Sequence, residues 1–80
     1  MVKLKFPNST DITTIEDAEV HRERLNIFHV TIPFDSTPSR KDLEGVKIWI
    51  DDRPSISVGI EAMAGRGMKT YVTFYILLKL

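Results

Sequence analysis

The chain predicts an α+β fold: a small antiparallel sheet of four to five strands with one or two short helices, in a single compact domain spanning residues 1–80. Three observations carry this expectation. Its last thirty-five residues alternate apolar and polar side chains with the period of two that a half-buried strand requires. Turn-forming clusters separate the alternating runs. The segment before them holds a helix start and stop signal within ten residues.

The alternating sets are Val46, Ile48 and Ile50; then Ile56, Val58, Ile60 and Ala62; then Val72, Phe74, Ile76, Leu78 and Leu80. Asp51-Asp52-Arg53-Pro54 and Gly65-Arg66-Gly67 separate them, so residues 46–80 read as a three-stranded meander. Placing each apolar set on one face puts Ile50 opposite Ile56 in the first hairpin. In the second, Ile60 faces Val72 with a loop of Gly65-Arg66-Gly67, or Phe74 with a loop from Gly65 to Lys69. Either register sets Arg66 at or beside the tip, and Gly67 suits a left-handed turn position.

Asn26 to Phe34 is a fourth strand, with Phe28, Val30, Ile32 and Phe34 on one face and Leu25, Ile27, His29 and Thr31 on the other. Between it and Val46, Ser36 or Thr37 offers an N-cap, Pro38 suits a first helical position and Gly45 a stop, giving a helix at 38–44 anchored by Leu43. Upstream, Thr13-x-x-Glu16 or Thr14-x-x-Asp17 opens a helix through Arg24 with Ile15, Ala18, Arg22 and Leu25 along one stripe. The competing reading is a long strand from Glu19 into Phe34, paired back on residues 11–15. Val2 to Phe6 is a short strand whose lysines suit a sheet edge.

Composition narrows function by exclusion. Eleven basic and eleven acidic side chains cancel, so no global field draws the chain to nucleic acid or anionic lipid. Residues 53–80 are mildly cationic, with Arg53, Arg66, Lys69 and Lys79 against Glu61 alone. The absence of Cys rules out a thiol nucleophile and thiolate metal sites. The N-terminus lacks the apolar core of a signal peptide, and the run Tyr71 to Leu78 is far shorter than the ~20 residues of a membrane helix. A cytoplasmic protein without membrane contact is expected.

Catalytic constellations are sparse. His21 and His29 are the only histidines. Asp51-Asp52 is a carboxylate pair that a turn explains more simply than a Mg²⁺ site. Glu44-x-x-Lys47 lacks the spacing of a nuclease acid and lysine on one strand. Gly65-x-Gly67 lies between two strands, the wrong context for a phosphate loop. No enzyme activity, cofactor or metal is expected.

What remains is the face opposite the core: Trp49, Tyr71, Tyr75 and Leu77, rimmed by Met63, Arg66 and Lys69. A helix over residues 14–24 would cover this face as ordinary packing; uncovered, it is a partner surface. The leading expectation is a small non-catalytic interaction or regulatory protein, of the kind found among phage and viral accessory factors. It binds a protein partner through this face, and a second copy is the first partner to consider. The alternative is single-stranded nucleic acid stacking on Trp49, Tyr71 and Tyr75, with Arg66, Lys69, Lys47 and Arg53 on phosphates.

Overall fold

A computed structural model describes residues 1–80. The chain is nearly all strand: β1 (Val2–Lys5), β2 (Thr13–Ile15), β3 (Glu19–Arg24), β4 (Ile27–Phe34), one helical turn α1 (Arg40–Glu44), β5 (Lys47–Ile50), β6 (Arg53–Arg66) and β7 (Lys69–Leu78). The seven strands form one antiparallel sheet in the order β2-β1-β5-β6-β7-β4-β3. The expected α+β fold of four to five strands is therefore corrected to a seven-stranded, curled, all-antiparallel sheet.

The correction lies in residues 13–24. The helix expected there does not form, and neither does the long strand paired back on residues 11–15. Thr13, Thr14 and Ile15 instead pair with β1, while Glu19 to Arg24 pairs with β4. The helical stripe offered little apolar area, whereas edge pairing satisfies the backbone and lets Ile15 and Ala18 pack against the core. Only Glu16-Asp17-Ala18 joins β2 to β3, although these strands stand at opposite ends of the sheet order. Four Cα steps reach at most about 15 Å, so the sheet must curl until its two ends approach.

The inside of the curl is the core. Thirteen residues are buried and all are apolar, among them Val2, Leu4, Phe28, Val30, Ile32, Ile48, Ile50, Val72, Phe74, Ile76 and Leu78. The alternating sets read from β4, β5 and β7 face inward as expected, apart from the frayed end at Leu80. The short helix also forms, later than expected. Ser39 is its N-cap, its Oγ accepting from the Asp42 N–H at 3.1 Å, and Leu43 is buried beneath it. Burying Leu43 contributes on the order of 2 kcal/mol, enough to hold so short a helix in place.

The β6 strand departs most from the alternating pattern, because it carries two bulges. Ser55 faces Leu78 and Ser57 faces Leu77, so Ile56 is extra; Ile60 faces Phe74 and Ala62 faces Thr73, so Glu61 is extra. Each inserted residue shifts the inward-facing parity by one. Ile56 is thrown out to 62 % exposure, and Ala62 and Ala64 leave the inner face, while Val58 and Ile60 stay against the core.

Both hairpin registers change accordingly. Ile50 faces Arg53 instead of Ile56, across a two-residue turn in which Asp51 and Asp52 both have positive φ, 49° and 66°. That is the type I′ pattern, whose twist matches the strands and which Asp tolerates better than most residues. After Pro54, β6 turns away from β5, and the Ile48 N–H that would have continued the ladder is taken by Ser55 Oγ at 3.2 Å.

At the other end the loop is Gly67-Met68 alone, between Arg66 and Lys69. Gly67 has φ 64°, the first position of a type II′ turn. The bulge at Glu61 is what shortens this loop from three or five residues to two. The tip is Met68, 93 % exposed, and Arg66 sits behind it on the strand.

Gly45 and Gly65 respond oppositely to an added methyl group. A Cβ on Gly45 would lie 2.8 Å from Cγ of Pro7, a rigid ring that would have to shift; at Gly65 nothing lies within 4 Å. Gly45→Ala should therefore cost about 1–3 kcal/mol in chemical denaturation, as overpacking does. Gly65→Ala should be neutral or stabilise by up to ~1 kcal/mol through the unfolded chain.

Candidate interaction surface

The outward side chains of β3, β4, β7 and β6 fall into cross-strand rows fixed by the register. One row runs His21, His29, Tyr75, Gly59; the next runs Glu19, Thr31, Thr73, Ala62; beyond it lie Pro33, Tyr71 and Ala64. No helix covers these rows. Pro33, which has no N–H to donate, sits two residues past the last β3–β4 pair at Thr31.

His29 is the centre of the surface. Its Nε2 lies 2.9 Å from Glu23 Oε1 and its Nδ1 2.8 Å from Glu61 Oε1, so the protonated ring donates an N–H to each carboxylate. The Tyr75 ring meets the imidazole edge-on, 84° between planes and 5.2 Å between centroids. Both carboxylates stand on bulge residues: Glu61 is the extra residue of β6, and Glu23 is the extra residue of β3, between the pairs Arg22–Phe28 and Arg24–Ile27. A regular strand on either side would aim these positions differently. The hydrogen bonds to Glu23 and then to Glu61 hold the imidazole pKa above its ordinary value of 6.5.

Beside this cluster, Thr31 Oγ1 and Thr73 Oγ1 share a hydrogen bond of 2.9 Å on the floor of a shallow hollow of about 260 Å³. Glu19, Ala62, Ala64, Tyr71 and Arg66 wall it. The Arg66 guanidinium lies over the Tyr71 ring at 5.6 Å.

Of the residues read from the sequence as a partner surface, this arrangement unites Tyr71, Tyr75, Leu77 and Arg66, with Leu77 between Ile27 and Ser57 at the lower margin. It separates the other three. Met63 faces Val72 after the bulge and so points to the inner side, 44 % exposed beyond the core. Lys69 Nζ turns to Asp35 Oδ1 at 3.6 Å. Trp49 stands on the other half of the curled sheet, in the row Thr14, Lys3, Trp49, Pro54, with Lys47 Nζ 5.3 Å from its ring centre.

That second half is basic where the first is acidic. Lys3, Lys5 and Lys47 surround Trp49, whereas Glu19, Glu23 and Glu61 punctuate the His29 face. The net charge of zero hides this division. Asp51 and Asp52, the carboxylate pair of the turn, are engaged by the N-terminal ammonium at 2.6 Å and Lys3 Nζ at 3.1 Å. The first contact holds the Asp51 carboxyl below its ordinary pKa. No group of three or more His, Asp or Glu side chains is arranged to hold a metal, and no helix is long and apolar enough to cross a membrane. No family model, curated protein or solved structure matches the chain.

The Glu23–His29–Glu61 tether gives a pH prediction. A raised folded pKa means that the contribution is present in full below the unfolded value of ~6.5 and is lost as pH rises through the folded value. The melting temperature of the native chain should therefore fall over that window relative to a Glu23→Gln/Glu61→Gln variant, and an NMR titration should place His29 above 6.5.

Proposed function

We propose that the protein is a non-catalytic interaction module that binds a protein partner through the outer face of β3, β4, β7 and β6. The observation that carries this reading is the row His29–Tyr75 with Tyr71 and Arg66 beside it, aromatic and charged side chains on a face that no element of the chain covers. Tyr and Arg are enriched at protein-binding surfaces, Tyr for large contact area at low entropic cost and Arg for its planar, multidentate guanidinium. Tyr75 keeps 40 % of its surface exposed, available to a partner. Both ring nitrogens of His29 face carboxylates, which fits a tether between strands for this histidine. A chain with no Cys fits a cytoplasmic setting.

A second reading rests on the basic half of the sheet. Lys5 and Lys47 stand directly opposite each other on neighbouring strands, and neither is paired with a carboxylate. Like charges so placed oppose the pairing unless an anion bridges them. Beside them Trp49 borders a hollow of about 380 Å³ with Ile12, Thr14 and the ion pair Lys3–Asp52, so the two unpaired lysines are the ones left for an anion. A phosphate backbone along the lysines with one base stacked on Trp49 fits that arrangement.

Two measurements separate the readings. A photo-crosslinking phenylalanine at position 75 or 71 should trap a discrete protein partner in the native cells, while one at Lys41 traps none; adducts from position 41 alone would overturn the first reading. For the second, Trp49 is the only tryptophan. Its fluorescence should quench on titration with oligothymidylate at low salt and recover as salt rises; unchanged emission excludes it.

A further inference from the structure

The strand order makes β6 a central strand, yet most of its length is a sheet edge. On one side it pairs with β7 from Ser55 to Arg66; on the other it pairs with β5 only at Arg53 and Pro54. The backbone hydrogen bonds outside regular elements involve no residue from Ile56 to Arg66. About half the peptide groups in this stretch therefore present an unpaired N–H or C=O outward.

Edges are usually blunted. The β3 edge carries Glu19, Arg22, Glu23 and Arg24, and β2 is only three residues long. The open part of β6 has no Lys and no Pro, and its single charge before Arg66 is Glu61, already held by His29. Ile56 and Met63 are exposed along it. Between this edge and Pro38 and Arg40 lies an open hollow of about 500 Å³. A long, weakly charged, unprotected edge is a template for strand addition.

The residues choose the occupant. Above the Glu61 bulge the strand is regular, with Ala62, Ala64 and Arg66 outward and Met63 and Gly65 on the inner side. Pairing this segment with itself antiparallel, about a two-fold axis at Ala64, sets Ala64 against Ala64 of the other copy. Met63 then meets Gly65, large against small, and Ala62 meets Arg66, so every opposed pair shares a face. Arg66 of each copy comes beside Glu61 of the other on the outer face, an opposite-charge contact made twice.

We propose that the edge of β6 from Ala62 to Arg66 docks the same edge of a second copy of this chain, joining two curled sheets into one across a two-fold axis. The proposal deepens the protein-binding reading and rests on it: the partner is a second copy, and the two His29–Tyr75 faces become continuous across the seam.

Sedimentation velocity of the full chain from micromolar to millimolar concentration tests it. A monomer–dimer equilibrium is expected. Ala64→Lys and Ala64→Glu, which oppose like charges at the axis, should each raise the dissociation constant more than about tenfold. An equimolar mixture of the two should recover a heterodimer. Hydrogen exchange of the native chain gives an independent reading: the amides between Ala62 and Arg66 that β7 leaves unpaired should slow with rising concentration, while those of the β3 edge should not. A native chain that stays monomeric throughout, or a dimer that neither variant weakens and whose free amides between Ala62 and Arg66 exchange at an unchanged rate, would overturn the inference. Adducts to a different protein from position 75 would, in that case, leave the interaction-module reading standing.

Discussion

Glu16-Asp17-Ala18 joins two strands that stand at opposite ends of a seven-strand sheet, and a link of three residues cannot span a flat sheet of that width. The sheet has to curl until its ends approach, and the curl encloses the core. It allows one layer of strands to bury thirteen apolar residues without a helix layer, because the sheet packs on its own inner face. For a chain of 80 residues this is an economical arrangement: side chains of β1, β4, β5 and β7 fill a single cluster, with Ile15 of β2 and Val58 and Ile60 of β6 packed against it.

Curvature of that kind needs places where strands bend, and the bulges supply them. Ile56 and Glu61 break β6 into three short straight segments, and Glu23 bends β3 beside its turn. Each bulge adds local twist and leaves one residue out of the ladder. Two of the three extra residues are glutamates, and both reach His29 from opposite sides. The bulges therefore serve two ends together, shaping the sheet and assembling the charged centre of its outer face. The tether runs from β3 through β4 to β6, passing the Tyr75 ring on β7, so four strands are clasped on the outside as well as packed on the inside.

The same bending opens the β6 edge. Because β6 leaves β5 after Pro54, its remaining length is flanked by a strand on one side only, and Ser55 Oγ replaces a backbone carbonyl as the partner of Ile48. A geometry that draws the ends of the sheet together at the β2–β3 link thus leaves β6 open on the side of α1. The acidic His29 face and the basic Trp49 face are separated by this bend, which is why a chain with no net charge presents two surfaces of different character.

Sequence alone determined the inward sets of β4, β5 and β7, since a period of two reads directly as a buried face when the strand is regular: Phe28, Val30, Ile32, then Ile48 and Ile50, then Val72 to Leu78. It determined Leu43 as the anchor of the short helix, Gly67 as a left-handed turn residue, and the outward position of Tyr71, Tyr75 and Leu77. Only the tertiary structure decided the rest. A bulge has no compositional mark, so the parity shifts that expose Ile56, turn Met63 inward and bring Glu61 to His29 follow from strand partners far away in the chain. Residues 13–24 had no strong local preference, and pairing with β1 and β4 overrode the helical stripe. The union of Trp49 with the tyrosines failed for the same reason: alternation says which side of a strand a residue takes, and the curl of the sheet decides in which direction that side faces.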